Sequence, residues 1–381
     1  MRVLLVTWSD QLLQKLQILS PQLEYCAIVV DELEPAQKIL ERVKLPKSLL
    51  HPLYELKECV RDFYYDYVIC IEDGWWTKDL FNQAKRYGVP QDKLLLFNAL
   101  TSGTNFLVER SLRYFKEHAA DFEMFITGIS LTAVGMDVTQ FKRKCFNFGR
   151  TGQDLYYNFQ VAKRAVTYGG GYGRLRYALI TLPAYAFQYD NSKTFNSQFL
   201  MLQYLIAFND LHNFFVPAEV YRSFFRKEFL SRQLPLDNFD TNNPHLEKSR
   251  TAYINRRERL ESRGKIDTWA QRIFPDTRTE YIKILDDYLT LCEQNNIRPI
   301  ILLMPATEGY IKHYDRQRLD EFQCIVRQAC KKHPSAFFLD SWQITGLTDR
   351  DFYDVYHLNL QGAAKFCAWL NRLIEQLDGK Q

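Results

Sequence analysis

No Cys-x-x-Cys pair occurs among the eight cysteines of this 381-residue chain. That removes the usual spacing of structural zinc sites and of dithiol redox motifs. The seven histidines add no zinc-type spacing, so no metal is expected. No window approaches the roughly 18 apolar residues of a membrane span. The apolar run in Met1–Thr7 is shorter than the roughly 7–15-residue core of a signal peptide, and no small-residue cleavage site follows. The expected location is the cytoplasm, with reduced cysteines. A large excess of either charge is also lacking. The net charge is only +4 and the basic run Lys142-Arg143-Lys144 is short, whereas a nucleic-acid binder normally displays a basic stripe. No nucleic-acid partner and no internal repeat are expected.

Glycine is missing where a dinucleotide site would need it. The first apolar run ends in Thr7-Trp8-Ser9-Asp10, and the Gly-x-Gly-x-x-Gly turn exists so that backbone can approach a pyrophosphate. Trp8 would occupy that space. Asp31 stands where a ribose-binding acid would, although an acid at a strand end also serves as a cap or surface residue. Ser102-Gly103-Thr104 could hold an anion or simply cap a helix. No cofactor is expected.

What the chain has is apolar bulk: 46% hydrophobic residues, with 23 Tyr and 27 Phe, enough for large cores and an aromatic-lined groove. Residues 1–105 alternate between short apolar runs (Arg2–Trp8, Tyr25–Val30, Asp66–Ile71, Lys93–Phe97) and helix-like segments (Gln11–Leu19, Glu34–Arg42, Trp76–Arg86). This alternation predicts an α/β domain with a parallel sheet, Rossmann-like but without the glycine fingerprint, over residues 1–120. A helix over Asn105–His118 leads to a second α/β domain over 121–381, with strands at Phe122–Thr127, Cys145–Phe148, Tyr177–Leu182, Pro299–Met304 and Ala336–Leu339. Helices are expected at Tyr156–Val166, from the capping box Thr277-Arg278-Thr279-Glu280 to Gln294, at Arg316–His333 and at Leu360–Leu377. Residues of about 192–275, rich in aromatics and then polar and charged, read as an insertion in the second domain, either a lid or a helical layer on its core.

Two distant segments carry chemistry when taken together. Gly128-Ile129-Ser130-Leu131 follows a strand, and Asp354-Val355-Tyr356-His357 lies near the end of the chain. A serine hydroxyl is a weak nucleophile that needs an adjacent base, and the base needs an orienting group. His357 and Asp354 fit those two roles for Ser130. The oxyanion formed by attack needs backbone N–H donors, which Ser130 itself and Gly152 could supply. Each residue also has an ordinary reading: Ser130 and Asp354 as helix caps, Asn147 and Gly152 as turn residues, Tyr185 as a core tyrosine.

In these segments the chain resembles the SGNH (GDSL-type) hydrolases over about residues 122–377. The resemblance implies a flavodoxin-like α/β/α sandwich, with Ser130 as nucleophile in its Gly128-x-Ser context. It implies Asn147 and, five residues on, Gly152 as the second block, and Asp354 and His357 as the last, with Leu358-Asn359 and Gly362 continuing the likeness. The family's third block, Gly-x-Asn-Asp, is replaced by Thr181-Leu182-Pro183-Ala184-Tyr185, which leaves Tyr185 as a substitute donor. This variant is similar to divergent members found with bacterial surface-polysaccharide genes. The implied activity is ester hydrolysis or acyl transfer on an O-acylated carbohydrate. A weakly active or inactive glycan-binding protein is the alternative, and a nucleotide-using enzyme a third.

Overall fold

The computed structural model describes residues 1–72, 78–97, 107–194, 198–226, 274–343 and 346–378. The chain divides into two compact units. The first is Met1–Arg110 with the described residues of Ser192–Pro235, and the second is Ser111–Asn191 with the described residues of Leu236–Gln381.

The first unit holds a five-stranded parallel sheet of order β3-β2-β1-β4-β5, built from β1 (Arg2–Thr7), β2 (Glu24–Val30), β3 (Leu50–Pro52), β4 (Tyr67–Ile71) and β5 (Leu94–Leu96). Four helices alternate with them: α1 (Leu12–Ile18), α2 (Leu33–Val43), α3 (Leu56–Asp62) and α4 (Asp79–Arg86). Central parallel strands are covered on both faces and therefore read as continuous apolar runs. Val3–Val6 and Ala27–Val30 are fully buried accordingly. The 3-2-1-4-5 order is that of a doubly wound dinucleotide-type sheet, but its ligand end is differently used. The Asp31 carboxylate accepts the Ser9 N–H at 2.7 Å, so the acid that would face a ribose instead braces the β1–α1 turn. Ser102–Thr104 lies outside the described residues.

The second unit repeats the principle with the order β10-β9-β8-β6-β7, all parallel. Its strands are β6 (Met124–Thr127), β7 (Cys145–Asn147), β8 (Tyr177–Leu182), β9 (Arg298–Leu303) and β10 (Phe337–Asp340). Numbered from β6, this is the 2-1-3-4-5 order of flavodoxin-like sheets, whose ligand crevice opens at the carboxyl ends of the strands where the order reverses. Here that point lies between β6 and β8. The helices are α5 (Leu107–Glu117), inside which the division of the chain falls, α6 (Ser130–Gly135), α7 (Leu155–Gly169), α10 (Pro275–Gln294), α11 (Glu308–His313), α12 (Arg316–Lys332) and α13 (Leu360–Asp378). Every residue of β6 and β8 is buried.

Three expectations need correction. The domain boundary falls at Arg110 rather than near 120. The segment from Ser192 does not begin as an insertion of the second domain. Its two described helices, α8 (Gln198–Phe208) and α9 (Ala218–Ser223), belong to the first unit. There Phe225 pairs with Leu19 in an antiparallel bridge, and Phe97 packs edge-on against Tyr221 and Phe225 at ring separations of 5.4 and 4.9 Å. A helix as apolar as α8 must be buried, and Met201, Leu202 and Tyr204 are fully so. The rest of that stretch, 227–273, lies outside the described residues. Finally, α10 opens at Phe274 with Pro275 in its first turn. Thr277 is a buried helical residue rather than the start of a capping box. Among the described residues, no helix is long and apolar enough to cross a membrane.

Candidate active site

Ser130 enters at the carboxyl end of β6 as the first residue of α6. The turn before it is shaped by close packing. A Cβ built on Gly128 would overlap the hydroxyls of Thr181 and Thr132, so only glycine fits. Those hydroxyls are hydrogen-bonded to each other, and the Thr181 hydroxyl donates to Thr127 O at 2.9 Å. Thr181, on neighbouring β8, thus fixes the end of β6 and the start of α6. Sequence reading missed Thr132 and Thr181. A threonine four residues beyond a packing-critical glycine was the available signal, but it cannot identify a partner on another strand.

The loop after β7 is seated against the same turn. Arg150 N–H donates to Gly128 O at 3.0 Å. Asn147 is buried, its amide donating to Thr132 O at 3.1 Å while its Oδ1 accepts the Gly149 N–H at 2.8 Å. Asn147 therefore acts as a brace between α6 and the loop. Gly152 has φ +77°, a left-handed conformation that favours glycine, and its carbonyl accepts from the Asn191 amide at 3.3 Å.

Beneath this loop lies a cluster the sequence did not reveal. Asp154 caps α7 by accepting the Tyr157 N–H at 3.1 Å, and both Asp154 and Asp190 are buried. Burial, then the neighbouring Asp190 carboxylate, pushes the Asp154 carboxyl up to about 8, against the opposing hydrogen bond from Tyr157. A dry carboxyl group beside another carboxylate resists ionisation. At neutral pH Asp154 holds a proton.

His357 and Asp354 come from a turn after β10. The turn is closed by an antiparallel bridge between Phe352 and Leu358. It is clamped at Val355 O, which accepts the Thr307 N–H at 3.0 Å and hydroxyl at 2.9 Å. Phe352, Val355 and Leu358 are buried, and Phe352 and Leu358 belong to the core formed with β6, β8, β9 and α13. Asn359 ends the turn. Its Oδ1 accepts the Gly362 N–H at 2.9 Å and its amide donates to Arg350 O at 2.7 Å. A Cβ on Gly362 would overlap Asp351 O, which accounts for glycine in the first turn of α13.

The geometry brings Ser130, His357 and Asp354 together across 227 residues of sequence. Ser130 Oγ lies 2.9 Å from His357 Nε2, and His357 Nδ1 lies 2.7 Å from Asp354 Oδ2. The other carboxylate oxygen, Oδ1, accepts the N–H groups of Tyr356 (3.0 Å) and His357 (2.7 Å). Burial pushes the Asp354 carboxyl up, but the His357 ring and these backbone donors outweigh it and hold it below the ordinary carboxylate range. An ionised Asp354 can only accept, so His357 Nδ1 carries the proton and Nε2 is left to accept from the serine hydroxyl. Asp354 is thus both turn residue and ring orienter, because the two oxygens of one carboxylate perform the two tasks. The arrangement can withdraw the serine proton as Oγ attacks an electrophilic carbon.

An aromatic cluster begins at the histidine. The Tyr356 ring lies 4.6 Å from the His357 ring, Tyr310 stands 5.7 Å from Tyr356, and Trp342 lies 6.0 Å from Tyr310 and 5.3 Å from Tyr314. Tyr185 joins this neighbourhood, 5.3 Å from Tyr189. Burial, then the nearby phenols of Tyr189, Tyr310 and Tyr356, push its hydroxyl well above the ordinary range, so it remains a neutral donor.

Among the described residues, no group of three or more His, Cys, Asp or Glu is placed to hold a metal ion. The chain matches no protein-family model and no curated protein.

Proposed function

We propose that the second unit is a serine esterase or acyltransferase of the SGNH (GDSL) type, acting on an O-acylated carbohydrate. The observation that carries the reading is the hydrogen-bonded chain Ser130–His357–Asp354, at 2.9 and 2.7 Å. The 2-1-3-4-5 sheet with Ser130 at the end of its first strand agrees with the resemblance drawn from the sequence.

Ser130 Oγ attacks the acyl carbon while its proton passes to His357 Nε2. The carbonyl oxygen becomes an oxyanion, for which the N–H groups of Ser130 and Gly152, with Tyr185 as a further donor, are the available partners. Collapse of the intermediate breaks the ester C–O bond, and His357 returns the proton to the departing alcohol. The acyl-serine is then resolved by water or by an acceptor hydroxyl, activated in the same way. Because His357 protonates the leaving alcohol, groups beside it line the alcohol side of the ester. Tyr356 stands there, with buried Tyr310 packed behind it, and a tyrosine with its polar tip suits the apolar face and hydroxyl edge of a sugar ring.

The test is hydrolysis of p-nitrophenyl acetate together with fluorophosphonate labelling, for wild type, Ser130→Ala and His357→Ala. Activity and label are expected in wild type and absent from both variants. One observation favours a second reading, a glycan-binding protein without turnover: Thr181-Leu182-Pro183-Ala184 stands where the family has its oxyanion asparagine. That reading requires a folded wild type that takes no label, and sugar binding that Ser130→Ala leaves intact.

A further inference from the structure

The amino ends of the strands in the second unit, opposite the Ser130 end, carry a cavity of about 580 Å³, within the range of small-molecule sites. Its charged lining is Arg143, Arg176, Arg298 and Glu293, with Asn296 and Ser335 beside them. Arg143 precedes β7, Arg176 precedes β8 and Arg298 opens β9, so the amino ends of three strands of one sheet, two of them neighbours, deliver arginines to one groove.

Glu293 does not neutralise Arg176 and Arg298. Glu293 is engaged by His333 Nδ1 at 2.8 Å and by the Ser335 hydroxyl at 3.0 Å. Burial pulls His333 down, but the carboxylates of Asp286 and Glu293 on its two nitrogens outweigh this and hold it above its ordinary value. Arg143 donates to Glu123 at 2.6 Å with its guanidinium 5.5 Å from the Tyr177 ring centre. Arg298 uses one nitrogen on Leu377 O at 3.3 Å and lies 5.5 Å from the Phe337 ring centre. Arg298 is held in place with donors to spare, whereas Arg143 is ion-paired with Glu123 and borders the groove. The exposed Arg176 guanidinium has no hydrogen bond or ion pair to any described residue. Arg176 O accepts the Arg298 N–H at 2.8 Å, so these two residues sit on neighbouring chains, about 5 Å apart at the backbone. Arg143 lies two strand spacings further along the edge, about 10 Å from β8.

We propose that this groove is a binding site for a small, multiply charged anion bearing phosphate or carboxylate groups, separate from the Ser130 site. Guanidinium forks match both groups bidentately, and Arg176 and Arg298 on neighbouring strands offer two of them. The site and Ser130 lie at opposite ends of the sheet, about 16 Å apart along β8 at about 3.3 Å per residue, so occupancy is independent of the serine.

The test is isothermal titration with pyrophosphate and with citrate, in sodium chloride at a constant ionic strength of about 0.15 M, where diffuse surface charge is screened. Wild type and Ser130→Ala are expected to bind one equivalent alike. Arg176→Ala should weaken binding about tenfold and Arg176→Ala/Arg298→Ala should remove it, by loss of charge-assisted bonds. Arg164→Ala, an exposed residue on α7, should change nothing. Tighter binding of pyrophosphate assigns a phosphate ligand, and tighter binding of citrate a carboxylate one. The proposal is overturned if neither probe binds saturably, or if Arg164→Ala weakens binding as much as Arg176→Ala does.

Discussion

Replacing Asp154 by asparagine should stabilise the second unit, and increasingly so as pH rises. The residue is buried beside Asp190. Its ordinary value of 3.8 is raised to about 8 in the folded state, so the folded protein keeps a proton that the unfolded chain releases. A raised folded value means that the contribution to stability is fully present below pH 3.8 and is lost as pH climbs to about 8. Each pH unit in that window withdraws about 1.4 kcal/mol, so by pH 7 the loss is about 4 kcal/mol. Asparagine is as good a cap as aspartate; its oxygen can still accept the Tyr157 N–H, and its amide can donate towards Asp190 without a proton being taken up. After relaxation around the site, an advantage of about 2–4 kcal/mol is expected at pH 8, shrinking to about 1 kcal/mol or less at pH 5. Native-state hydrogen exchange of the α7 amides, wild type against variant at each pH, reads this region without requiring the whole chain to unfold in one step. A difference that does not change with pH, or an α7 that opens more readily in the variant at pH 8, would refute the reasoning.

Three further outcomes follow from the geometry. Asp354→Asn should lower kcat on an activated ester by about 10⁴-fold, because the orienter then no longer selects the productive histidine tautomer. Its cost in stability should fade below about pH 4, since a depressed folded value gives stabilisation only above the ordinary 3.8; undiminished turnover would count against the relay. Gly128→Ala should destabilise by about 3 kcal/mol through overlap with Thr181 and Thr132, measurable as a lowered urea midpoint, and a neutral result would mean the turn is not tightly packed. Asp31→Ala should cost about 1 kcal/mol by leaving the Ser9 N–H without its acceptor. NAD and ATP should leave the melting temperature of the wild type unmoved; a nucleotide-induced rise that Asp31→Ala abolishes would restore a binding role for that acid.

The parts of this architecture that were readable from sequence are those written in local patterns. Buried parallel strands such as Val3–Val6 and Tyr177–Leu182, broken only by Thr181, are near-continuous apolar runs bounded by turn residues, and they lie close to where those runs place them. Strand β3 was not legible: three residues ending in Pro52 carry no periodic signal, and a proline is tolerated there because β3 is an edge strand. The candidate relay was legible because Asp354 and His357 are three apart and Ser130 follows a strand and a glycine. The Thr132–Thr181 brace and the Asp154–Asp190 pair were not, since each exists only through contacts made in the folded chain. The destination of the aromatic segment after Ser192 escaped for the same reason. Composition indicates that α8 must be buried, but not against which sheet.

That return of the chain has a consequence for biosynthesis. The first unit begins at the amino terminus, yet Tyr221, Phe224 and Phe225, which cover Phe97 and Tyr67, are translated only after β6, β7 and β8. During elongation the early sheet must wait with an apolar flank uncovered while three of the five strands of the second sheet emerge. Neither unit can then be released intact by a single proteolytic cut, and a fragment ending at Arg110 would present that flank to chaperones or to other chains.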